Sequence, residues 1–205
     1  MAFQFSHHTV DANGLVEHQG EYLNAEPGIF PNYDFIRALK TQLEVDSGTV
    51  FRYHSHENTY LNFIYNQLQR ENDLPDRDEL CAFIQSITHS TEKSDVAWKG
   101  TRDMVDLYEL VRRFDYNPAT NGSISLKFVL PAVLNSSDYL KHRYSEPIYG
   151  AQNGIRSLNF HDQVWVEYDE NGRVRDPYKL LPMLFTDENA NDYHAIMEMD
   201  KINDG

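Results

Sequence analysis

Apolar positions along this chain follow two periods, and the alternation between them sets the expected elements. Phe3 to Val10 and Leu15 to Leu23 are β-rich runs on either side of Asp11-Ala12-Asn13-Gly14. Asn-Gly between two such runs is a strong hairpin signal and predicts two antiparallel strands. From Pro31 to Glu44 the spacing turns helical: Phe35, Ile36, Leu39 and Leu43 share one face, and Gly48 follows as a stop. Thr49 to Tyr53 is short, β-branched and aromatic, so it predicts a buried strand. It runs into Ser55, an N-cap residue for a helix that carries Leu61, Ile64 and Leu68.

Asp76 followed by Glu79 resembles a capping box and opens a helix with Leu80, Phe83, Ile84 and Ile87. Asp103 stands in the same relation to Met104, Leu107, Leu110, Val111 and Phe114, which predicts a helix beginning at Met104. Thr88 to Gly100 is a polar connection. Asn117-Pro118 and Asn121-Gly122 break the chain ahead of a short helix with Leu126, Val129 and Leu130, which Pro131 limits or kinks. Strand and helix alternate, the signature of an α/β fold.

From Asn135 the periodicity fades apart from Val164 to Tyr168, where the turn residues Asp169-Glu170-Asn171-Gly172 predict a second hairpin. The expected organisation is an α/β core over 1–134 and a loop-rich extension of the same domain over 135–205. The last stretch, Thr186 to Gly205, is polar and acidic and has no closing element.

A length of 205 residues suits one core better than two. Hydrophobic content of 40% is globular, and no run approaches the ~18 apolar residues that span a bilayer, so no membrane partner is expected. Met1 to Ser6 has neither a basic nor an apolar leader region, and the cytoplasm is the expected location. Cys81, the one cysteine, falls on an apolar helical pattern and reads as a core residue. A net charge of −14 works against nucleic-acid binding, because affinity for a polyanion comes from Lys and Arg displacing counterions.

The densest group of metal-capable side chains is His54-Ser55-His56-Glu57, where the predicted strand meets its helix. Ligands in open α/β sheets gather beyond the carboxyl ends of strands, so Glu57 is positioned for function. A first-turn acid that complements the helix dipole is the other reading. A transition-metal site on His54, His56 and Glu57 is a further possibility. Asp106, between Val105 and Leu107, is either a first-turn charge or a member of a polar site. His7, His8, His18, His89, His142 and His161 show no zinc-motif spacing. No phosphate-binding loop and no serine-hydrolase elbow is present.

Several phrases together resemble one family: Phe3-Gln4-Phe5-Ser6 with His8, Phe51-Arg52-Tyr53-His54-Ser55-His56-Glu57, Met104-Val105-Asp106-Leu107, Ser125-Leu126-Lys127 with Val129-Leu130-Pro131-Ala132, and Asp176-Pro177-Tyr178-Lys179-Leu180-Leu181-Pro182. They are similar to the bacterial domain of unknown function DUF2779, whose pattern resembles DEDD-type 3′–5′ exonucleases. The resemblance implies an RNase H-like mixed sheet with flanking helices, followed by a loop-rich C-terminal segment. It also implies four carboxylates holding two Mg2+ or Mn2+ ions that activate water for phosphodiester cleavage.

Under that resemblance Glu57 is the metal-binding, catalytic acid of the second motif, where the pattern usually has Asp. Tyr53, His54 and His56 would line the nucleic acid, and Asp106 would be a supporting acid, not a metal ligand. The first motif, Asp-x-Glu, belongs to a strand preceding Phe3, and the last, Tyr-x-x-x-Asp, follows Gly205. The expectation is therefore an incomplete sheet in a piece of a larger nuclease, or in a degenerate copy of one, without activity as the isolated chain. An exposed sheet edge could then drive self-association. The alternative is a non-catalytic RNase H-like interaction or scaffold domain, which the charge favours.

Overall fold

The computed structural model describes residues 1–181. The Asn-Gly signal is realised as a hairpin of β1 (Gln4–Val10) and β2 (Val16–Leu23), antiparallel, with a bulge between His7 and His8. Its turn is held by Asp11, whose Oδ1 accepts from the backbone N–H groups of Asn13 and Leu15, both at 2.8 Å. Gly14 takes the left-handed conformation that the turn requires, at φ +80°. One face of the hairpin sets Phe5 and Tyr22 edge-on to Phe35, at 5.5 and 5.9 Å.

Phe35 belongs to α1 (Asn32–Leu43), which packs with α2 (His56–Leu68) and α3 (Arg77–Ile87). The expected helical faces are the buried ones: Phe35, Ile36 and Leu43 from α1, Leu61, Ile64 and Leu68 from α2, and Leu80, Phe83, Ile84 and Ile87 from α3. Each such side chain contributes about 1.5–3 kcal/mol through removal from water. Cys81 is buried among them, and burial pushes its thiol above the usual range. Buried Asn58 ties α2 to the chain after α3: its amide donates to the His89 carbonyl and its oxygen accepts the His89 N–H, both at 3.1 Å.

Two expected caps take other partners. The Asp76 carboxylate makes no cap bond; it is held by Arg37 through Nε at 2.6 Å and Nη2 at 3.0 Å, which draws its pKa down. The Ser55 hydroxyl also leaves its helix uncapped and lies 3.1 Å from His54 Nδ1.

β3 (Phe51–Arg52) is shorter than its sequence pattern and pairs in parallel with β4 (Val105–Asp106). The helix expected from Met104 starts later, as α4 (Leu107–Phe114). Met104 is drawn into the core, and Val105 N donates to Val50 O at 2.9 Å, so the chain stays extended through Asp106. Among the described residues the strands thus form two separate pairs, β1–β2 and β3–β4, in a mixed α/β arrangement with six α-helices.

α5 (Leu126–Ser136) continues past Pro131, the residue expected to limit or kink it, and Asn135 Nδ2 donates to the Pro131 carbonyl at 2.8 Å. α6 (Asp138–Tyr144), capped by Ser137, stands where only loop was expected. Its seven residues and mixed polarity are too short a window for periodicity to register. The second hairpin reduces to a turn, with an isolated bridge between Tyr168 and Val174 and Asp169 Oδ1 accepting from Asn171 N and Arg173 N. Leu134, Val166 and Val174 form a smaller apolar cluster here. Residues 182–205, which include the polar, acidic stretch from Thr186 to Gly205, lie outside the described residues. No helix among the described residues is long and apolar enough to cross a membrane.

Candidate functional site

The parallel pair β3–β4 is only two residues long, yet it brings together the two acidic phrases singled out in the sequence. Arg52 and Asp106 are directly paired in register. Arg52 Nη1 lies 2.8 Å from Asp106 Oδ2, with the two side chains only 7% and 16% exposed. The other carboxylate oxygen, Oδ1, accepts the backbone N–H of His54 at 2.8 Å and that of Tyr108 at 3.0 Å. The second of these caps α4. Arg52 also donates through Nη1 to the His54 carbonyl, while its buried Nε has no partner.

His54 has φ +72°, in the left-handed region that a side chain with a Cβ enters at a cost of about 1–3 kcal/mol. Asp106 and Arg52 hold its N–H and its carbonyl respectively, so the strained turn between β3 and α2 is fixed from both sides. The His54 ring then sits edge-on to Tyr108 at 4.4 Å, and it is exposed. The pairing of Arg52 with Asp106, and the strained backbone it holds at His54, were not read from the sequence. The signal available was an Arg between two aromatics in a strand expected to be buried, a position that asks for a charged partner; in the structure Arg52 is buried and Phe51 is exposed.

The remaining candidates diverge. Tyr53 is half-buried; its hydroxyl donates to the Ile124 carbonyl, and its ring meets Tyr108 edge-on at 5.8 Å. Burial, reinforced by the neighbouring Tyr108 and Asp106, raises its pKa. His56 opens α2, exposed, with its ring 6.5 Å from that of His54 and 6.0 Å from that of Tyr60. Glu57 is exposed in the first turn of α2 and has no ion-pair partner among the described residues. It borders a cavity that runs between β1, β3 and α2, so its carboxylate stands at the rim of a concavity.

This geometry sorts the acids. Asp106 has three donors, which makes it a structural latch for the turn carrying His54. Glu57 retains a carboxylate uncommitted among the described residues. No three His, Cys, Asp or Glu side chains among the described residues converge closely enough to hold a metal ion. The side chains described do not fit a two-cation centre, which needs several oxygen ligands in one place.

A second polar cluster gathers His8 and His18, which the sequence offered only as isolated histidines, on the face of the hairpin away from Phe5 and Tyr22. His8 and His18 stack at 4.5 Å and 7°, His8 Nε2 is 2.5 Å from the Tyr149 hydroxyl, and His18 Nε2 is 3.2 Å from Ser6 Oγ. Their alternation in two strands was the available cue; the contact with Tyr149, far along the chain, was not.

Comparison with curated proteins and with solved structures gives no match. Residues 1–125 match the family described as a domain of unknown function, DUF2779, and this span contains the hairpin, the three-helix core and the Arg52–Asp106 latch. The chain belongs to the DUF2779 family.

Proposed function

We propose that this chain is an RNase H-like domain of the 3′–5′ exonuclease type that contributes Glu57 and the exposed rings of His54 and His56 to a phosphodiesterase, and that its own side chains do not cleave nucleic acid. The observation that carries the reading is Glu57, a carboxylate with no ion-pair partner among the described residues, in the first turn of α2, just beyond the carboxyl end of a parallel strand and at the rim of a cavity. The order of the sequence phrases supports the exonuclease resemblance.

The test is incubation of the chain with 5′-labelled single-stranded DNA in Mg2+ or Mn2+, beside Glu57→Gln. Both proteins are expected to leave the oligonucleotide at full length. Metal-dependent shortening by the parent, lost in Glu57→Gln, would overturn catalytic silence. Binding of the same oligonucleotide at low salt, weakened in His54→Ala/His56→Ala, is expected if the nuclease kinship holds.

The second reading is a non-catalytic interaction domain, and a specific observation favours it: the charge of −14 repels a polyanion. No oligonucleotide binding at low ionic strength decides for this reading over the first.

A further inference from the structure

One edge of β2 pairs with β1, and the other meets residues 156–159, which come from beyond the family-matched span 1–125. Glu17 and Arg156 form a parallel bridge, and His18 N donates to Arg156 O at 3.0 Å. In a continuing parallel ladder the next bond would run from Leu158 N to the His18 carbonyl. Leu158 N donates instead to His18 Nδ1, at 3.2 Å. A side chain therefore closes the ladder.

The bulge in the hairpin aims that ring. His7 pairs with Gly20 and His8 with His18, so Gln19 is an extra residue in β2. His18 is thereby turned from the face that Gly20 and Tyr22 present to α1 onto the outer face. There it stacks on His8, is 1% exposed, and has Nε2 at 3.2 Å from Ser6 Oγ and 3.8 Å from Glu21 Oε2. Because Nδ1 accepts, the one ring proton sits on Nε2 and the ring that holds Leu158 is neutral.

A second proton, on Nδ1, would set a donor against the Leu158 N–H and abolish the bond. The charged and titratable groups around the stacked pair are His7 and His8 from β1, Glu17 and Glu21 from β2, and Tyr149 and Arg156 from the covering segment. Of these, His8 opposes a second charge 4.5 Å away and Glu21 favours one. A bond that exists only with an unprotonated imidazole weakens as the pH falls through the histidine range, about 6.5.

The covering segment has its own internal bonds. Ile155 N donates to Ile148 O, Gly150 N to Ile155 O and Gln163 N to Tyr149 O, each at 2.8 Å, and none involves the hairpin. Its side-chain ties to the hairpin are the His18 ring, the contact of His8 Nε2 with the Tyr149 hydroxyl, and Asn159 Nδ2 with Glu21 Oε2 at 3.4 Å. Two of the three are histidines.

We infer that residues 156–159 are a proton-released strap over the outer edge of β2, latched by neutral His18, and that acidification lifts the strap and uncovers the backbone of His18. This strap rests on the hairpin contacts and stands independently of any nuclease kinship.

NMR on the full chain tests it. At pH 7.5 the nitrogen chemical shifts of the His18 ring are expected to place the proton on Nε2. Protection factors, corrected for the intrinsic pH dependence of exchange, are expected to fall at His18 and Leu158 between pH 7.5 and pH 5.5 by about tenfold, the factor per pH unit of a one-proton step, while Ile84 in α3 stays unchanged. His18→Asn supplies an acceptor that does not titrate and should keep both amides protected throughout. Should that variant not fold, Glu21→Gln decides, because loss of the carboxylate should move the midpoint of the change to lower pH. The strap is overturned by a proton on Nδ1 at pH 7.5, by constant protection of the two amides, or by an equal fall at Ile84, which reports global unfolding. It is equally overturned if His18→Asn keeps the pH dependence of the parent, or if Glu21→Gln leaves the midpoint where it was.

Discussion

Asp106 and Arg52 face each other across the parallel pair with 2.8 Å between Oδ2 and Nη1, and the turn carrying His54 hangs on both. The guanidinium is almost wholly buried and has one carboxylate for a partner. Removing that carboxylate leaves a buried charge unpaired, a left-handed residue unheld and a helix uncapped. Asp106→Ala is expected to cost about 3–5 kcal/mol in urea unfolding, the range for breaking a buried pair. Asp106→Asn keeps an acceptor for the His54 and Tyr108 N–H groups and should lose distinctly less. Equal losses for the two variants would show that the retained acceptor contributes nothing and that the charge alone matters.

Gly150 offers a sharper steric test. Its φ is +82°, and a Cβ there would lie 1.9 Å from the Phe160 carbonyl oxygen. Gly172 has a similar φ of +70° but open space around it. Gly172→Ala is expected to cost about 1–2 kcal/mol, the strain of the left-handed conformation alone. Gly150→Ala adds a backbone clash and should cost several-fold more. Thermal unfolding of the two variants side by side measures the difference, and similar melting temperatures would mean that residues 148–163 rearrange freely.

How much of this could be read from the sequence depended on whether the cause was local. Asp11-Ala12-Asn13-Gly14 makes its own turn bonds, so the hairpin was legible. Phe35, Ile36, Leu80 and Ile84 carry strong helical periodicity, so the three core helices were too. The start of α4 was misjudged because Val105 is extended by a bond to Val50, and no local signal reports a partner that distant in the chain. The Asp76 and Ser55 caps failed for the same kind of reason: Arg37 and His54 compete for the side chains. At the candidate site, Glu57 and Asp106 were both found, but their different engagement was decided by Arg52 in three dimensions.

The stacked pair on the hairpin predicts a pH dependence. Burial first, then the neighbouring His18 and His7, lower the pKa of His8 below 6.5. The unfolded chain therefore binds a proton at a higher pH than the folded one does. Stability contributed by neutral His8 is fully present above about 6.5 and declines as the pH falls below it, levelling off once the folded form is protonated as well. His18 Nδ1 also accepts the Leu158 N–H at 3.2 Å, so the ring beside His8 anchors the 156–158 segment to β2. The urea midpoint is expected to fall between pH 7 and pH 5, with a shallower slope in His8→Phe. Identical slopes would remove His8 as the source.

The two apolar clusters predict unequal local stability. The cluster over α1, α2 and α3 buries large side chains from three packed helices, including Ile36, Ile64, Leu68 and Ile84, each at 1% exposure or less. The cluster formed by Leu134, Val166 and Val174 has three buried members, and Leu140 and Tyr144 flank it. Opening free energy follows the apolar contact that must be broken. Amides in α2 and α3 are therefore expected to exchange only by global unfolding, while those of α6 and the 148–175 segment exchange through smaller openings, orders of magnitude faster. Ile84→Ala should lower global stability by about 2–5 kcal/mol. Val166→Ala should speed exchange in the second region while leaving α3 protection almost unchanged. If it reduced protection equally in both, the two clusters would be one cooperative unit, and the division between them would have no energetic meaning.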